Sequence, residues 1–227
     1  MFTDCSQNRL IICNADGTDI HHIPLPYEPF YISEVDSNTV AVSCRNNRTI
    51  LMINISTCSV ISTINTCHNC YGLSYDDDIL YVVIDMSIIH VMNLTGKVMR
   101  TINLPSDDIR DITVDRDRLI CIENKSIYCC SLDGKVRWKF QHELYQDRVT
   151  IDAVGNVYMT DRYTNTLNVV THDGKRCIKI LTKLNGLNQP CGFSFDNKEN
   201  ALLICNIYDG KAFLFDVKME LESMKMY

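Results

Sequence analysis

The chain has 227 residues, with 22 Lys and Arg against 28 Asp and Glu, a formal net charge of -6. That balance argues against a general nucleic-acid clamp, which needs an electropositive footprint to displace counterions from phosphates, so no DNA partner is expected. An apolar fraction of 46% supplies a real core and excludes disordered and collagen-like classes.

At the start, Met1 to Arg9 lacks the basic flank and apolar stretch of a secretory signal, so a cytoplasmic product is expected. The longest stretch free of Asp, Glu, Lys and Arg runs from Thr49 to Tyr75. Asn, Ser, Thr, Cys and His interrupt it every few residues, and no membrane partner is expected. The 12 Cys fall below the density of disulfide scaffolds and read as reduced, small apolar fillers of strands.

Internal periodicity is the main signal along the chain. Placing Asp16-Gly17 on Asp173-Gly174 aligns Thr3-Asp4, Asn8 and Leu10 with Thr160-Asp161, Asn165 and Leu167 without a gap, an offset of 157 residues, about four units of 39. A Ser or Thr two residues before an Asp recurs at Ser74-Tyr75-Asp76, Thr113-Val114-Asp115, Thr150-Ile151-Asp152 and Ser194-Phe195-Asp196. Ser33-Glu34-Val35-Asp36 is the same column stretched by one residue. A turn column follows at Asp16-Gly17, Thr95-Gly96, Asp133-Gly134 and Asp173-Gly174, with Ser56-Thr57 in the unit that lacks Gly.

Within each unit the runs are short and rich in β-branched residues, as in Leu80-Tyr81-Val82-Val83-Ile84 and Ile88-Ile89-His90-Val91-Met92. Four such strands per unit of about 40 residues predict an all-β, six-bladed β-propeller over 1–227, because radial closure protects strand edges. The blades are expected at 1–25 (partial), 26–65, 66–104, 105–142, 143–183 and 184–227. The first begins within its second strand and is incomplete at the N-terminus, which makes that seam the expected place for fraying. The charged tail Met219 to Tyr227 is the candidate to fill the vacancy or to add a fourth strand to the last blade.

The units read as Pro-x-Gly-apolar-(Ser or Thr)-x-Asp, a strand ending in Thr-Asp, a polar loop with Asn, an apolar strand, Asp-Gly-Lys and a final strand. Asp147 to Ile180 and Gln189-Pro190-Cys191-Gly192-Phe193-Ser194-Phe195-Asp196 carry this most clearly. The pattern resembles the NHL repeat found at the C-terminus of invertebrate tripartite-motif proteins. The resemblance implies a non-enzymatic propeller that recruits a substrate or partner for a ubiquitin ligase, without RING or B-box chemistry in these residues. It also implies, as alternatives, an RNA-binding NHL domain or, by likeness to gluconolactonases and amidating lyases, a metal-dependent hydrolase or lyase. The repeat departs from the family at its Gly position: Tyr31, Asp111 and Arg148 stand where Gly is expected.

Isolated chemical motifs read as structural. Cys67-His68-Asn69-Cys70 has the spacing of half a zinc site, but no second CxxC pair exists. Cys129-Cys130 and His21-His22 alternate across strands and share no face for a metal. Acids ending the second strands, Asp4, Asp85, Glu123 and Asp161, with Asn206 and Cys44 in the other blades, could ring a channel and bind Ca²⁺. Their recurrence points instead to loop-capping architecture. No cofactor, metal or catalytic residue is expected.

The loops between blades and those after the second strands should gather on one face. The first set offers Tyr27, Phe30, Tyr31, Tyr71, Arg110, Tyr145 and Arg148, the second Arg9, Arg45, Arg48, Arg162 and Tyr163. Arg and Tyr anchor protein interfaces, so Phe30, Arg45, Arg48, Tyr71, Arg110, Arg148, Arg162 and Tyr163 are the candidate partner-binding residues, with Arg110 and Arg148 separable from folding. The same residues could stack single-stranded RNA. Asp107, Asp108, Asp111, Glu143, Asp147 and Asp161 are expected on the same face, where a mixed-charge rim favours protein over phosphate.

Overall fold

The computed structural model describes residues 1–14, 16–141, 148–207 and 209–217. Among them, strands form six antiparallel sheets, each in chain order. Blade one holds β1 (Phe2–Asp4), β2 (Arg9–Ile12) and β3 (His21–Pro24). Blade two holds β4 (Tyr31–Asp36), β5 (Thr39–Cys44), β6 (Thr49–Asn54) and β7 (Ser59–Asn65), and blade three β8 (Cys70–Asp76), β9 (Ile79–Ile84), β10 (Ile88–Asn93) and β11 (Val98–Asn103). Blade four holds β12 (Asp111–Asp115), β13 (Arg118–Glu123), β14 (Ser126–Ser131) and β15 (Val136–Gln141), and blade five β16 (Val149–Ile151), β17 (Val157–Asp161), β18 (Thr166–Val170) and β19 (Cys177–Leu181). Blade six holds β20 (Pro190–Asp196), β21 (Ala201–Asn206) and β22 (Ala212–Asp216).

The chain is a six-bladed β-propeller. By the repeat alignment β1 is a second strand, so the first sheet has three strands, as does the last. The strand anticipated in Met219 to Tyr227 lies outside the described residues.

Face-to-face packing explains the apolar runs. In β9, Leu80, Val82 and Ile84 join Ala41, Ile50 and Met52 of blade two. Tyr81 and Val83, on the other face, join Ile112, Leu119 and Cys121 of blade four. A middle strand is thus buried on both sides, and apolar residues run along it on both faces. Outer strands lose that constraint: along β7 only Ile64 is buried, while Ile61 is 56% exposed. The recurrent turns fasten blade to blade. Gly174 sits at φ +73°, and a Cβ there would lie 2.6 Å from the Trp138 ring, whose indole N–H donates to the His172 carbonyl at 3.2 Å.

Around the axis the innermost strands approach edge-on, and side chains of the repeat columns tie them. Ser33 Oγ accepts the Tyr75 N–H at 3.2 Å, and Ser74 Oγ accepts the Val114 N–H at 3.0 Å. Each Ser therefore serves the middle residue of the next blade's Ser/Thr-x-Asp triplet. The Gly72 N–H donates to the Arg110 carbonyl at 2.9 Å. A Cβ on Gly72 would meet the Asp111 Cα at 2.6 Å and the Arg110 oxygen at 2.9 Å, whereas on Gly192 it would meet nothing nearer than Cys205 at 3.7 Å.

Gly72→Ala should therefore cost about 1–3 kcal/mol, because backbone of the next blade has to move, while Gly192→Ala should be close to neutral. Urea unfolding of the two variants checks this; equal midpoints would contradict the close approach of blades three and four.

Candidate functional site

The connections into β4, β8, β12, β16 and β20 and the loops after β5, β9 and β17 meet at one end of the axis around a cavity of about 440 Å³. Three aromatics, Phe30, Tyr31 and Tyr71, and four arginines, Arg45, Arg110, Arg148 and Arg162, line it with Met86 and Cys191. All are partly buried. These residues belong to three repeat columns. Phe30, Tyr71, Arg110 and Cys191 precede the Gly position, Tyr31 and Arg148 occupy it, and Arg45, Met86 and Arg162 follow the polar end of the second strand or the residue beside it.

The three departures from Gly meet one another across the ring. Arg148, just ahead of β16, lays its guanidinium 3.6 Å from the centre of the Tyr31 ring. Its Nη2 donates to the Phe30 carbonyl at 3.0 Å and its Nε to the Cys191 carbonyl at 3.3 Å. One side chain thus joins blades two, five and six, contacts that bear against the expectation that Arg148 is separable from folding. Asp111 completes the set. It is 6% exposed, and its carboxylate accepts the Ile112 N–H at 3.0 Å and, from blade five, the Val149 N–H at 3.1 Å. Burial pushes its carboxyl up to about 6, against the pull of the Arg148 charge and these two donors.

Arg45 opens the short 3-10 turn Arg45–Asn47 after β5. Its guanidinium lies 4.8 Å from the Phe30 ring centre and 5.4 Å from that of Tyr71, and its Nε donates to Asn46 Oδ1 at 3.3 Å. Aromatic faces thus hold the charge in place. Arg110 donates through Nε and Nη2 to Asp108 Oδ1 at 3.2 and 3.1 Å, and Asn124 donates to the other Asp108 oxygen at 2.8 Å. Arg162 Nη2 donates to the Tyr163 hydroxyl at 3.3 Å.

Six of the eight anticipated residues therefore line one cavity: Phe30, Arg45, Tyr71, Arg110, Arg148 and Arg162. Arg48 and Tyr163 do not. Arg48 takes a left-handed backbone at φ 55°, closes the turn and donates outward to the Cys67 carbonyl at 3.5 Å. Tyr163 is 64% exposed. Met86 and Cys191 were overlooked, although they occupy the same columns as Arg45 and Phe30.

The expected acidic rim needs correction as well. Asp111 and Asp161 are buried, and Asp161 is spent on the Tyr163 and Thr164 N–H groups at 2.7 and 3.0 Å. Asp107 is exposed, as expected, and Asp108, partly exposed, is engaged by Arg110 and Asn124, while Glu143, Tyr145 and Asp147 lie outside the described residues. Arg9, expected on the loop face, pairs with Asp4 at 2.9 Å.

The other second-strand termini cap loops too. Asp4 accepts the Gln7 N–H at 3.2 Å, Asp85 the Asn69 N–H at 3.2 Å and Asn206 the Asn188 N–H at 3.0 Å, whereas Glu123 accepts the hydroxyl of Tyr128 in β14 at 3.0 Å. Among the described residues no three His, Cys, Asp or Glu side chains come together as a metal site. Cys67 is exposed while Cys70 is buried, its thiol donating to the Thr49 carbonyl at 3.4 Å. Cys129 and Cys130 join different core clusters, as alternation requires. Burial pushes the thiols of Cys44 and Cys205 up to about 12, which keeps them protonated and unreactive.

No family model and no curated protein matches this sequence. Solved structures do resemble it. A protein of unknown function from Bacteroides caccae superposes with a TM-score of 0.74 at 12% identity, covering 93% of this chain and 87% of that one. Virginiamycin B lyase from Staphylococcus aureus gives 0.65 at 16% identity, with 96% and 80% covered. A chain of the mitotic checkpoint complex gives 0.69 at 10%, with 95% and 83% covered. At such identities the likeness is one of fold.

The raised Asp111 value has a measurable consequence. The folded protein keeps this proton over an interval in which the unfolded chain, with a carboxyl near 3.8, has released it. The resulting stability is complete at and below about pH 4 and is lost as pH rises through 6, on the order of 2–3 kcal/mol in all. The difference in unfolding free energy between the protein and Asp111→Asn should fall by that amount between pH 4 and 7. A difference that stays flat would place Asp111 in water.

Proposed function

We propose that the propeller is a non-enzymatic recognition module whose axial mouth receives a segment of a partner protein. The supporting observation is the convergence of Arg45, Arg110, Arg148 and Arg162 with Phe30, Tyr31 and Tyr71 on one open cavity of about 440 Å³. Arg and aromatic side chains are those that anchor interfaces, since they combine buried area with directed hydrogen bonding. A volume within the roughly 300–1,000 Å³ of ligand pockets suits inserted side chains rather than a flat docked domain. The resemblance to NHL repeats adds the biological setting: the recruiting end of a tripartite-motif-like ubiquitin ligase.

Single-stranded RNA is less well matched. It needs a basic groove tracking several nucleotides, and here four arginines gather at a single mouth in a chain with net charge -6.

Affinity capture followed by mass spectrometry tests the reading. Tyr71→Ala and Arg45→Ala should each deplete partner proteins by about tenfold or more, the effect of losing a hot-spot contact of 1.4 kcal/mol or greater. Lys175→Ala, in a turn between third and fourth strands and hence at the opposite end of its blade, should leave the profile intact. Equal depletion by all three, or by none, would refute the mouth as the binding surface.

A further inference from the structure

We infer that the mouth selects an acidic peptide segment, with Arg45 as its principal carboxylate reader. This rests on the reading of the mouth as a partner site and adds its chemistry. Four guanidiniums line the cavity, and among the described residues no carboxylate does. Two acids outside the lining offset part of that charge, Asp108 partly exposed and Asp111 buried. Asp108 engages Arg110, and buried Asp111 acts on Arg148. The lining stays positive in a chain whose net charge is -6, a local contrast that favours an anionic segment there.

Arg45 is the residue best placed to meet a ligand. Its neighbours are the faces of Phe30 and Tyr71, and its Nε is taken by Asn46. No ion pair to Arg45 occurs among the described residues. A guanidinium fixed between rings has already lost much of its rotamer freedom, and its planar fork matches a carboxylate in a two-pronged hydrogen bond. Glu28, the acid beside this turn, is occupied by the Asn46 amide at 3.1 Å. Met86, Phe30 and Tyr71 add apolar wall for the methylene stem of a Glu side chain.

The test titrates the whole chain with a fluorescent hexaglutamate peptide, acetylated and amidated at its ends, and with the hexaglutamine counterpart, at neutral pH. Hexaglutamate should bind, more weakly as salt rises, and hexaglutamine should not. Arg45→Ala should weaken hexaglutamate by about tenfold or more, Arg45→Lys should fall between the two because charge survives without the fork, and Met86→Glu should abolish binding by placing a carboxylate in the mouth. Melting curves accompany each variant, so that Met86→Glu decides the matter if Arg45→Ala does not fold.

Equal binding of the two peptides, or hexaglutamate binding indifferent to both substitutions in folded protein, would overturn the inference. Poly(U) binding through Arg45 without hexaglutamate binding would overturn it in favour of RNA. Citrate displacing the peptide at equal concentration would overturn the peptide part and leave a receptor for small polycarboxylates. The two readings fail separately. Partner capture lost in Arg45→Ala without hexaglutamate binding overturns the acidic selectivity alone, whereas Arg45-dependent hexaglutamate binding with unchanged capture supports that selectivity and removes the recruiting role.

Discussion

One constraint governs the hub: innermost strands of neighbouring blades meet edge-on without forming a ladder, so the N–H groups on those edges are buried with no sheet partner to receive them. Each orphaned donor would cost about 1–3 kcal/mol. Side chains remove the cost at recurring positions, Ser33 for Tyr75, Ser74 for Val114 and Asp111 for Val149, while the carbonyl of Arg110 serves Gly72. The Ser or Thr column is therefore a consequence of ring geometry.

Because every blade meets the same constraint, the period was readable from the chain. The Ser/Thr-x-Asp triplets, the Gly turns and, in blades two to five, the doubly buried second and third strands recur for one physical reason each, and blade number and strand order follow from them. The mouth was readable in the same way, since Phe30, Tyr71 and Arg110 share one column and Arg45 and Arg162 another. What repeat arithmetic does not carry is distance across the ring. Arg148 reaching the Phe30 carbonyl, 118 residues away, and the burial of Asp111 both depend on which blades oppose each other through the axis. Arg48 differs at finer scale: three residues after Arg45, it closes the turn in a left-handed backbone and its side chain donates to the Cys67 carbonyl instead of lining the cavity.

The Gly column shows where symmetry was broken. At Gly72 the hub is packed backbone against backbone, and at Gly192 it is open to a Cys205 contact; either solution avoids burying charge. Tyr31, Asp111 and Arg148 replace that simplicity with a guanidinium over a ring and a carboxyl held well above its ordinary range. Removing a charge from water usually costs several kcal/mol, and a buried opposite charge with its hydrogen bonds returns that cost only in part. Stability alone gives little reason to prefer this arrangement to glycine.

The proposed recognition role gives a better one. Asp111 lies beneath the surface, where it steadies Arg148 without lining the cavity, so the Tyr31 face and the positive charge remain at the mouth while their counter-charge is withdrawn. Arg148 is at the same time fastened to two carbonyls from different blades, which makes it a rigid part of the wall rather than a side chain that must be ordered when a ligand arrives. Arg45, held by rings, meets the same requirement without any carboxylate. Both devices keep guanidinium charge fixed at the mouth of a chain whose net charge is negative, and fixed charge of one sign discriminates between partners before shape does.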